Sequence, residues 1–158
     1  MNLFKFFRNI GRGIKNIIRY WKVIWNDRDW DDYYIYKLLQ TKLRFMEQFF
    51  RSDKCYREDK EKTADQIKFA IKKLDRLIKN VYLDEAFESF FEKYPDFEWK
   101  PKFEPIEDMP RHYKYISCFN EEQKELAKEC FKKADELENQ DYEELFEHLK
   151  KYIRDWWD

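Results

Sequence analysis

The sequence predicts an all-α fold in which about six helices form an irregular bundle. Aromatic residues make up 20% of the 158-residue chain, which gives it ample apolar surface to bury. The chain has only two glycines, whereas sandwiches and barrels need many turns and normally carry more. Apolar residues recur at helical spacing along most of the sequence. A chain of this length is expected to form one domain, residues 1–158.

The first predicted helix spans residues 3–24 and is both amphipathic and basic. Its apolar residues recur every three or four positions. Residues 1–25 include six basic residues and no acidic one, although the whole chain has a net charge of −1. Gly11 and Gly13 are expected to kink or divide this helix. Two interpretations remain open: the helix packs on the rest of the protein, or it binds a membrane surface or a partner.

Three further helices are predicted in the first two thirds of the chain. They span residues 31–51, 63–82 and 84–93. The first of these has the strongest apolar repeat, and Asp29 or Asp31 is expected to cap its start. Thr63 is the expected cap of the next one. Because the connection between these two helices is short, we expect them to lie antiparallel.

All four prolines lie in the segment 94–119 and rule out a regular helix there. Aromatic residues interleave with the prolines, so we predict an ordered loop that wraps the body or lines a cavity. Long loops of this kind in compact domains are often functional. A short extended piece is expected within residues 112–119.

The remaining segment, 120–158, predicts an acidic helical hairpin. Asn120 and Gln123 form a capping box at the start of the fifth helix. Asp141 and Glu144 occupy the matching positions at the start of a sixth helix.

The motifs of common enzyme classes are missing from the sequence. It has no glycine-rich phosphate loop, no zinc-protease motif and no serine-hydrolase elbow. Asp27, Asp29 and Asp31 show the D-x-D-x-D spacing of a calcium loop, but the required glycine and glutamate are replaced. We therefore expect a protein without catalytic activity, cofactor or metal, with a Mg²⁺ site on two of these carboxylates as the alternative.

Composition also limits the expected compartment and partners. Three cysteines without a C-x-x-C pair favour free thiols and a reducing compartment, the cytoplasm. No apolar run approaches the ~20 residues that a transmembrane helix needs. Nucleic-acid binding is not expected, because the chain beyond the first helix is net acidic.

The most distinctive segment joins the first helix to the second, at residues 25–34. It places one arginine among four carboxylates, with aromatic rings on both sides. Charged groups rarely lie among large rings unless they are paired or bind something. In a structural interpretation Asp29 or Asp31 caps the second helix, Trp30 packs at the junction and Arg28 pairs with an acidic residue elsewhere.

In a functional interpretation the same segment binds a nucleotide-type ligand. The predicted binding residues are Trp25, Asp27, Arg28, Asp29, Trp30 and Tyr33. The guanidinium would hold a phosphate bidentately, an indole would stack on a base, and an aspartate would accept a hydrogen bond from a ribose hydroxyl. Because acid beside a phosphate is unfavourable, some of the aspartates would have to face away or pair with a lysine.

The motif W-x-D-R-D-W-D at Trp25 to Asp31, followed by L-L-x-x-K-L-x-x-M at Leu38 to Met46, resembles small phage-encoded helical proteins. Such proteins often inhibit host defence without catalysis, and some sequester nucleotide immune signals between subunits. The resemblance implies a homo-oligomeric, anti-defence phage protein in the host cytoplasm that sequesters a nucleotide-type molecule. The alternative is an inhibitor that contacts a host protein through the basic first helix or the acidic C-terminal hairpin.

Overall fold

The protein is mainly helical, which confirms the helical character of the predicted all-α fold, although the described residues also form a small sheet. The structure, a computed structural model, describes residues 3–28, 31–100, 102–107, 109 and 111–156, with side chains from Phe7 onward. Within these ranges the chain forms five helices, where about six were predicted, and one two-stranded sheet. The elements are α1 Leu3–Trp25, α2 Tyr33–Phe50, α3 Lys60–Lys79, α4 Tyr82–Lys93, β1 Lys102–Pro105, β2 Tyr113–Ile116 and α5 Glu121–Tyr152.

Helix α1 continues through its two glycines. The predicted division at Gly11 and Gly13 is therefore wrong, and the predicted kink there stays a prediction. Each glycine lowers helix stability by about 1 kcal/mol relative to alanine, which weakens a helix without ending it. The helix ends where Asn26 donates a side-chain hydrogen bond of 3.1 Å to the Lys22 carbonyl.

Helices α2 and α3 lie antiparallel, as predicted. Arg44 pairs with Asp75 at 3.0 Å, and Arg51 pairs with Asp65 at 2.8 Å, so positions rise along α2 as they fall along α3. The core between them consists of almost fully buried apolar side chains. It includes Leu43, Met46, Phe50, Ala64, Ile67 and Leu74.

Side-chain caps were predicted at the starts of both helices, at Asp29 or Asp31 for α2 and at Thr63 for α3. The N-cap of α2 is Asp32, whose side chain makes no capping hydrogen bond, so the predicted Asp31 is not the N-cap residue. The Asp31 carboxylate does accept a hydrogen bond of 3.0 Å from the backbone N–H of Tyr33, the first residue of the helix. Asp29 lies outside the described residues. The cap predicted at Thr63 is wrong, because α3 already begins at Lys60 and the Thr63 side chain is buried.

Contacts divide the described chain into two compact units. The first unit combines the residues up to Lys79 with those from Asp141 onward, and the second runs from Asn80 to Gln140. The proposal of a single domain over residues 1–158 therefore stays a prediction. Helix α5 contributes residues to both units.

The second unit has a core of aromatic rings. The Phe90 ring is completely buried and lies 5.0 Å from the Phe97 ring and 5.6 Å from the Phe119 ring. The Phe97 and Phe119 rings stack on each other at 5.1 Å. The proline-rich segment thus contributes rings to a core, as an ordered loop should.

The same segment also contains the short sheet. Strand β1 pairs antiparallel with β2, with Lys102 opposite Ile116 and Pro105 opposite Tyr113. The extended piece predicted within residues 112–119 is confirmed by β2. In a two-stranded sheet both strands are edges, which is where proline is tolerated.

The capping box predicted at the start of α5 is confirmed. The Asn120 side chain accepts a hydrogen bond of 2.8 Å from the Gln123 backbone N–H. In return, the Gln123 side chain accepts one of 2.9 Å from the Asn120 backbone N–H. These two bonds satisfy donors that the first turn of a helix otherwise leaves without partners.

The predicted C-terminal hairpin, residues 120–158, is wrong, because α5 runs through its expected turn without interruption. No glycine or proline lies in α5 to end it. The Asp141 side chain, expected to cap a sixth helix, is buried and accepts hydrogen bonds from Lys73 and Arg76 of α3. The Trp156 ring, at the end expected to form a docking surface, is also buried.

Candidate functional site

Helix α1 exposes its apolar residues to solvent. Those from Phe7 to Trp25 are between 43% and 70% exposed. They are Phe7, Ile10, Ile14, Ile17, Ile18, Trp21, Ile24 and Trp25. At about 100° per residue, these side chains fall within about 120° of the helix circumference. They form a continuous surface, here called the apolar stripe.

The side of α1 that contacts the rest of the first unit lies away from the apolar stripe. Val23 is buried, and the Tyr20 ring lies 6.2 Å from the Phe45 ring of α2. The Arg19 guanidinium carbon lies 4.8 Å from the centre of the same ring. Helix α1 therefore packs on the rest of the first unit through this side, while the apolar stripe stays exposed.

The charge of α1 is entirely positive. Its described cations are exposed, and the helix includes no acidic residue. They are Arg8, Arg12, Lys15, Arg19 and Lys22. Among the residues that the structure describes, no carboxylate forms an ion pair with any of these cations. An amphipathic helix with cations on its polar face and Ile, Phe and Trp on its apolar face is typical of helices that lie in the membrane interface.

None of the described helices is long and apolar enough to cross a membrane. For α1 the reason is visible in the sequence, because a basic residue interrupts the apolar ones every three or four positions.

The residues predicted to bind a nucleotide-type ligand lie around the end of α1. Trp25 is exposed on the last turn, and its ring lies 4.7 Å from the Trp21 ring. Asp27 and Arg28 are exposed in the connection to α2. Among the described residues, none forms an ion pair or a hydrogen bond with the Arg28 side chain. The structural interpretation required such a partner for this guanidinium.

Tyr33 begins α2, and its ring contacts neighbours on the same helix. It lies 5.0 Å from the Tyr34 ring, and the Lys37 ammonium lies 5.9 Å from its centre. Asp29 and Trp30 lie outside the described residues. The predicted binding site at this junction therefore stays a prediction.

A groove elsewhere in the first unit combines cations with rings, and none of the described residues that line it is acidic. Its volume is about 670 Å³. The lining includes Arg19, Lys42, Lys54 and Arg57 together with Phe45, Phe49, Phe50 and Trp156. We call it the basic groove. Buried parts of Met46, Phe50 and Trp156 form an apolar floor.

Arg57 is the most firmly held cation of the basic groove. Its Nε and Nη2 donate to the Asp59 carboxylate at 2.9 and 3.0 Å, and its Nη1 donates to the Asp155 carbonyl at 3.0 Å. The hydrogen bonds from Arg57 lower the pKa of Asp59 below its ordinary value. Since Asp59 already balances this arginine, Arg19 and Lys54 are the cations of the groove that form no ion pair with another described residue.

A second polar cluster of the first unit surrounds the buried Asp141 and is fully paired. The Lys73 ammonium lies 2.6 Å from Asp141 and 2.5 Å from Glu144, and Arg76 Nε lies 2.5 Å from Asp141. Burial opposes the charge on Lys73, but the hydrogen bonds to both carboxylates outweigh it and raise the lysine pKa. Because opposite charges satisfy one another here, the cluster is suited to stabilising the fold.

His148 is likewise engaged in packing. Its ring lies 4.5 Å from the Phe69 ring and 4.8 Å from the Tyr152 ring. Its Nε2 lies 2.8 Å from the Gln66 carbonyl oxygen, which can only accept, so this nitrogen carries the proton. Burial lowers the pKa of His148 below its ordinary value.

Local sequence patterns revealed α1 but not the basic groove. The groove residues come from α1, from the end of α2, from the following connection and from the C-terminus. Only the fold brings these segments together, so no spacing in the sequence indicated them. No family model, curated protein or solved structure matches this chain.

Proposed function

We propose that the protein binds the surface of anionic membranes through α1. The observation that carries this proposal is the exposure of the apolar stripe on a helix whose charged residues are all basic. Soluble proteins rarely expose a continuous apolar surface of this size unless it is used for binding. The side of α1 that holds Val23 packs on the body, which leaves the stripe free to meet lipid.

Two contributions should both favour binding of α1 to the membrane: burial of the apolar stripe and attraction of the basic residues to anionic lipid. Full burial of one large apolar side chain favours association by about 1.5–3 kcal/mol, and the stripe holds several. Attraction to an anionic bilayer adds about 1 kcal/mol for each basic residue near its surface. Trp21 and Trp25 suit the interface, where indole rings keep one end in lipid and the other in water.

A membrane fits α1 better than a second copy of the same helix does. A second copy would bring the same unpaired cations and no carboxylate to balance them. Anionic headgroups supply the missing negative charge over a broad surface. The homo-oligomer expected from the sequence remains a prediction that a measurement of mass in solution can test.

The test is a flotation assay of the full chain with two kinds of vesicle. One kind consists of neutral lipid alone, and the other contains one third anionic lipid. Ile17→Asp places a carboxylate in the apolar stripe, and Asn16→Asp adds the same charge at an exposed position one residue away and outside the stripe. We expect binding to anionic vesicles, a loss of at least tenfold for Ile17→Asp, and at most threefold for Asn16→Asp.

Two results would overturn the membrane proposal. One is a wild-type protein that does not float with anionic vesicles. The other is an equal loss for both variants, because the effect would then come from net charge and not from the stripe. A chain that instead forms dimers broken by Ile17→Asp would assign the stripe to a second copy.

A second candidate function is the sequestration of a nucleotide-type ligand at the junction of α1 and α2. The exposed Arg28 side chain, which lacks a partner among the described residues, favours it. Replacing a surface arginine should cost well under ~1 kcal/mol of stability. Native mass spectrometry of the wild-type protein and Arg28→Ala, both purified from host cells, tests it. The wild type should carry a small molecule that a folded Arg28→Ala has lost.

A further inference from the structure

We infer that the basic groove binds a phosphate-bearing ligand that also has an apolar or aromatic part. This inference does not depend on the apolar stripe, because no residue of the stripe lines the groove. The two proposals share Arg19, which lies over Phe45 on the side of α1 that faces the body. The inference is also independent of the predicted site at residues 25–33, whose described residues do not line the groove.

The charge of the lining is the first argument. The whole chain has 33 acidic and 32 basic residues, yet the described residues of the groove lining include four basic ones and no acidic one. Arg19 and Lys54 form no ion pair with any other described residue. Unbalanced cations that converge on one concave surface attract anions, and arginine and lysine are the usual ligands of phosphate.

The rings of the groove are the second argument. Phe49 is half exposed, and Phe45 lies under the Arg19 guanidinium at 4.8 Å. Since Arg19 already covers one face of Phe45, Phe49 is the ring on which an aromatic base could stack, and an acyl chain could pack against the same apolar surface. A volume of about 670 Å³ falls within the range of sites for small molecules.

A neighbouring groove in the same unit provides a comparison. It has a similar volume, about 630 Å³, and is also lined by cations, Arg44, Lys68 and Lys72. However, Glu47, Asp65 and Asp75 share its lining, and Arg44 pairs with Asp75 at 3.0 Å. Its positive charge is therefore balanced within the protein, so the excess in the basic groove is specific to that site.

Titration calorimetry of the full chain, in the absence of vesicles, tests this inference. The probes are adenosine monophosphate, dihexanoyl phosphatidic acid below its micelle concentration, and inorganic phosphate. Binding of the nucleotide alone would assign the groove to nucleotides, and binding of the lipid alone would assign it to a lipid headgroup. Similar affinity for all three probes would show that the groove binds phosphate alone and that its rings play no part. That result would overturn the inference of a ligand with an apolar or aromatic part.

The variant for this experiment is Lys54→Gln, since Lys54 is exposed and its replacement leaves the core intact. The matched control is Lys72→Gln, which removes the same charge from the neighbouring groove. We expect the affinity to fall about tenfold for Lys54→Gln, the loss of one charge-assisted hydrogen bond, and less than twofold for Lys72→Gln. No binding of any probe at millimolar concentration, or equal losses for the two variants, would overturn the inference.

Ile17→Asp separates this inference from the membrane proposal. The substitution lies in the apolar stripe and outside the groove lining. We expect it to bind the soluble probes with wild-type affinity even where it no longer floats with vesicles. A failure of either proposal can therefore be recognised without reference to the other.

Discussion

Asp141 accepts a hydrogen bond of 2.6 Å from the Lys73 ammonium, across 68 positions of sequence. The carboxylate is buried and is shared with Arg76, whose Nε lies 2.5 Å away. These bonds attach the last part of α5 to α3 within the first unit. They also explain why α5 continues past Asp141, because the side chain that would cap a new helix is already occupied.

Replacing Asp141 with alanine should destabilise the protein strongly. Removing one member of a buried ion pair leaves its partner uncompensated and typically costs about 3–5 kcal/mol. Here two cations, Lys73 and Arg76, would lose their carboxylate. We expect a loss of this size in the free energy of unfolding, measured by urea denaturation.

The control for this experiment is Glu136→Ala, which removes a carboxylate from an exposed pair on the same helix. Glu136 lies 3.5 Å from Lys132, and both side chains are largely exposed. Exposed pairs of this kind contribute between about 0 and 1 kcal/mol. Equal losses for the two variants would contradict the importance of burial at Asp141.

The stability of the protein should depend on the protonation of His148. Its pKa is lowered in the folded state from the ordinary value of 6.5, because the ring is partly buried beside Phe69 and Tyr152. The unfolded chain therefore binds this proton more readily, and stability is lost as the pH falls from 6.5 toward the folded pKa. The loss from this one group is at most about 1.4 kcal/mol for each pH unit.

The measurement compares wild type with His148→Gln in urea at pH 7.5 and at pH 5.5. Glutamine does not titrate and can still donate to the Gln66 carbonyl. We expect the wild-type protein to lose more stability than the variant over this interval. Parallel losses would show that other groups carry the whole pH dependence.

Asn120 and Asp141 show how far local patterns determine this fold. Both residues stand three positions before a glutamine or glutamate, and the sequence predicts a capping box at each. Only Asn120 forms one, because it meets no partner from a distant part of the chain. Asp141 meets Lys73 and Arg76, and this tertiary contact overrides the local preference for a cap.

Local sequence patterns also predict the candidate sites only in part. The amphipathic pattern of α1 is local, so the sequence revealed both its apolar and its basic side. Which side faces the body depends on Phe45, which lies far away in sequence and contacts Arg19 and Tyr20. The basic groove requires the C-terminal Trp156 to approach the end of α2, and no local signal predicts such an approach.

The capping box at Asn120 should contribute measurably to stability. Asn120→Ala removes the acceptor of the Gln123 backbone N–H and should cost about 1 kcal/mol, as is typical for helix caps. Asn120→Ser keeps an acceptor at the same position and should restore most of the loss. Thermal or urea unfolding of the two variants measures this difference. An equally large loss for serine would indicate that Asn120 acts through another contact.

Binding of α1 to anionic membranes should weaken steeply with salt. Raising the ionic strength from 0.1 to 1 M shortens the screening length from about 10 to about 3 Å, which removes most of the attraction between exposed charges and the bilayer.

At constant salt, Arg8→Gln combined with Arg12→Gln should weaken binding about 30-fold, since each basic residue contributes about 1 kcal/mol. The matched control, Lys68→Gln with Lys72→Gln, removes the same charge from the exposed side of α3. Equal losses for the two pairs would mean that total charge, and not its position on α1, governs the attraction.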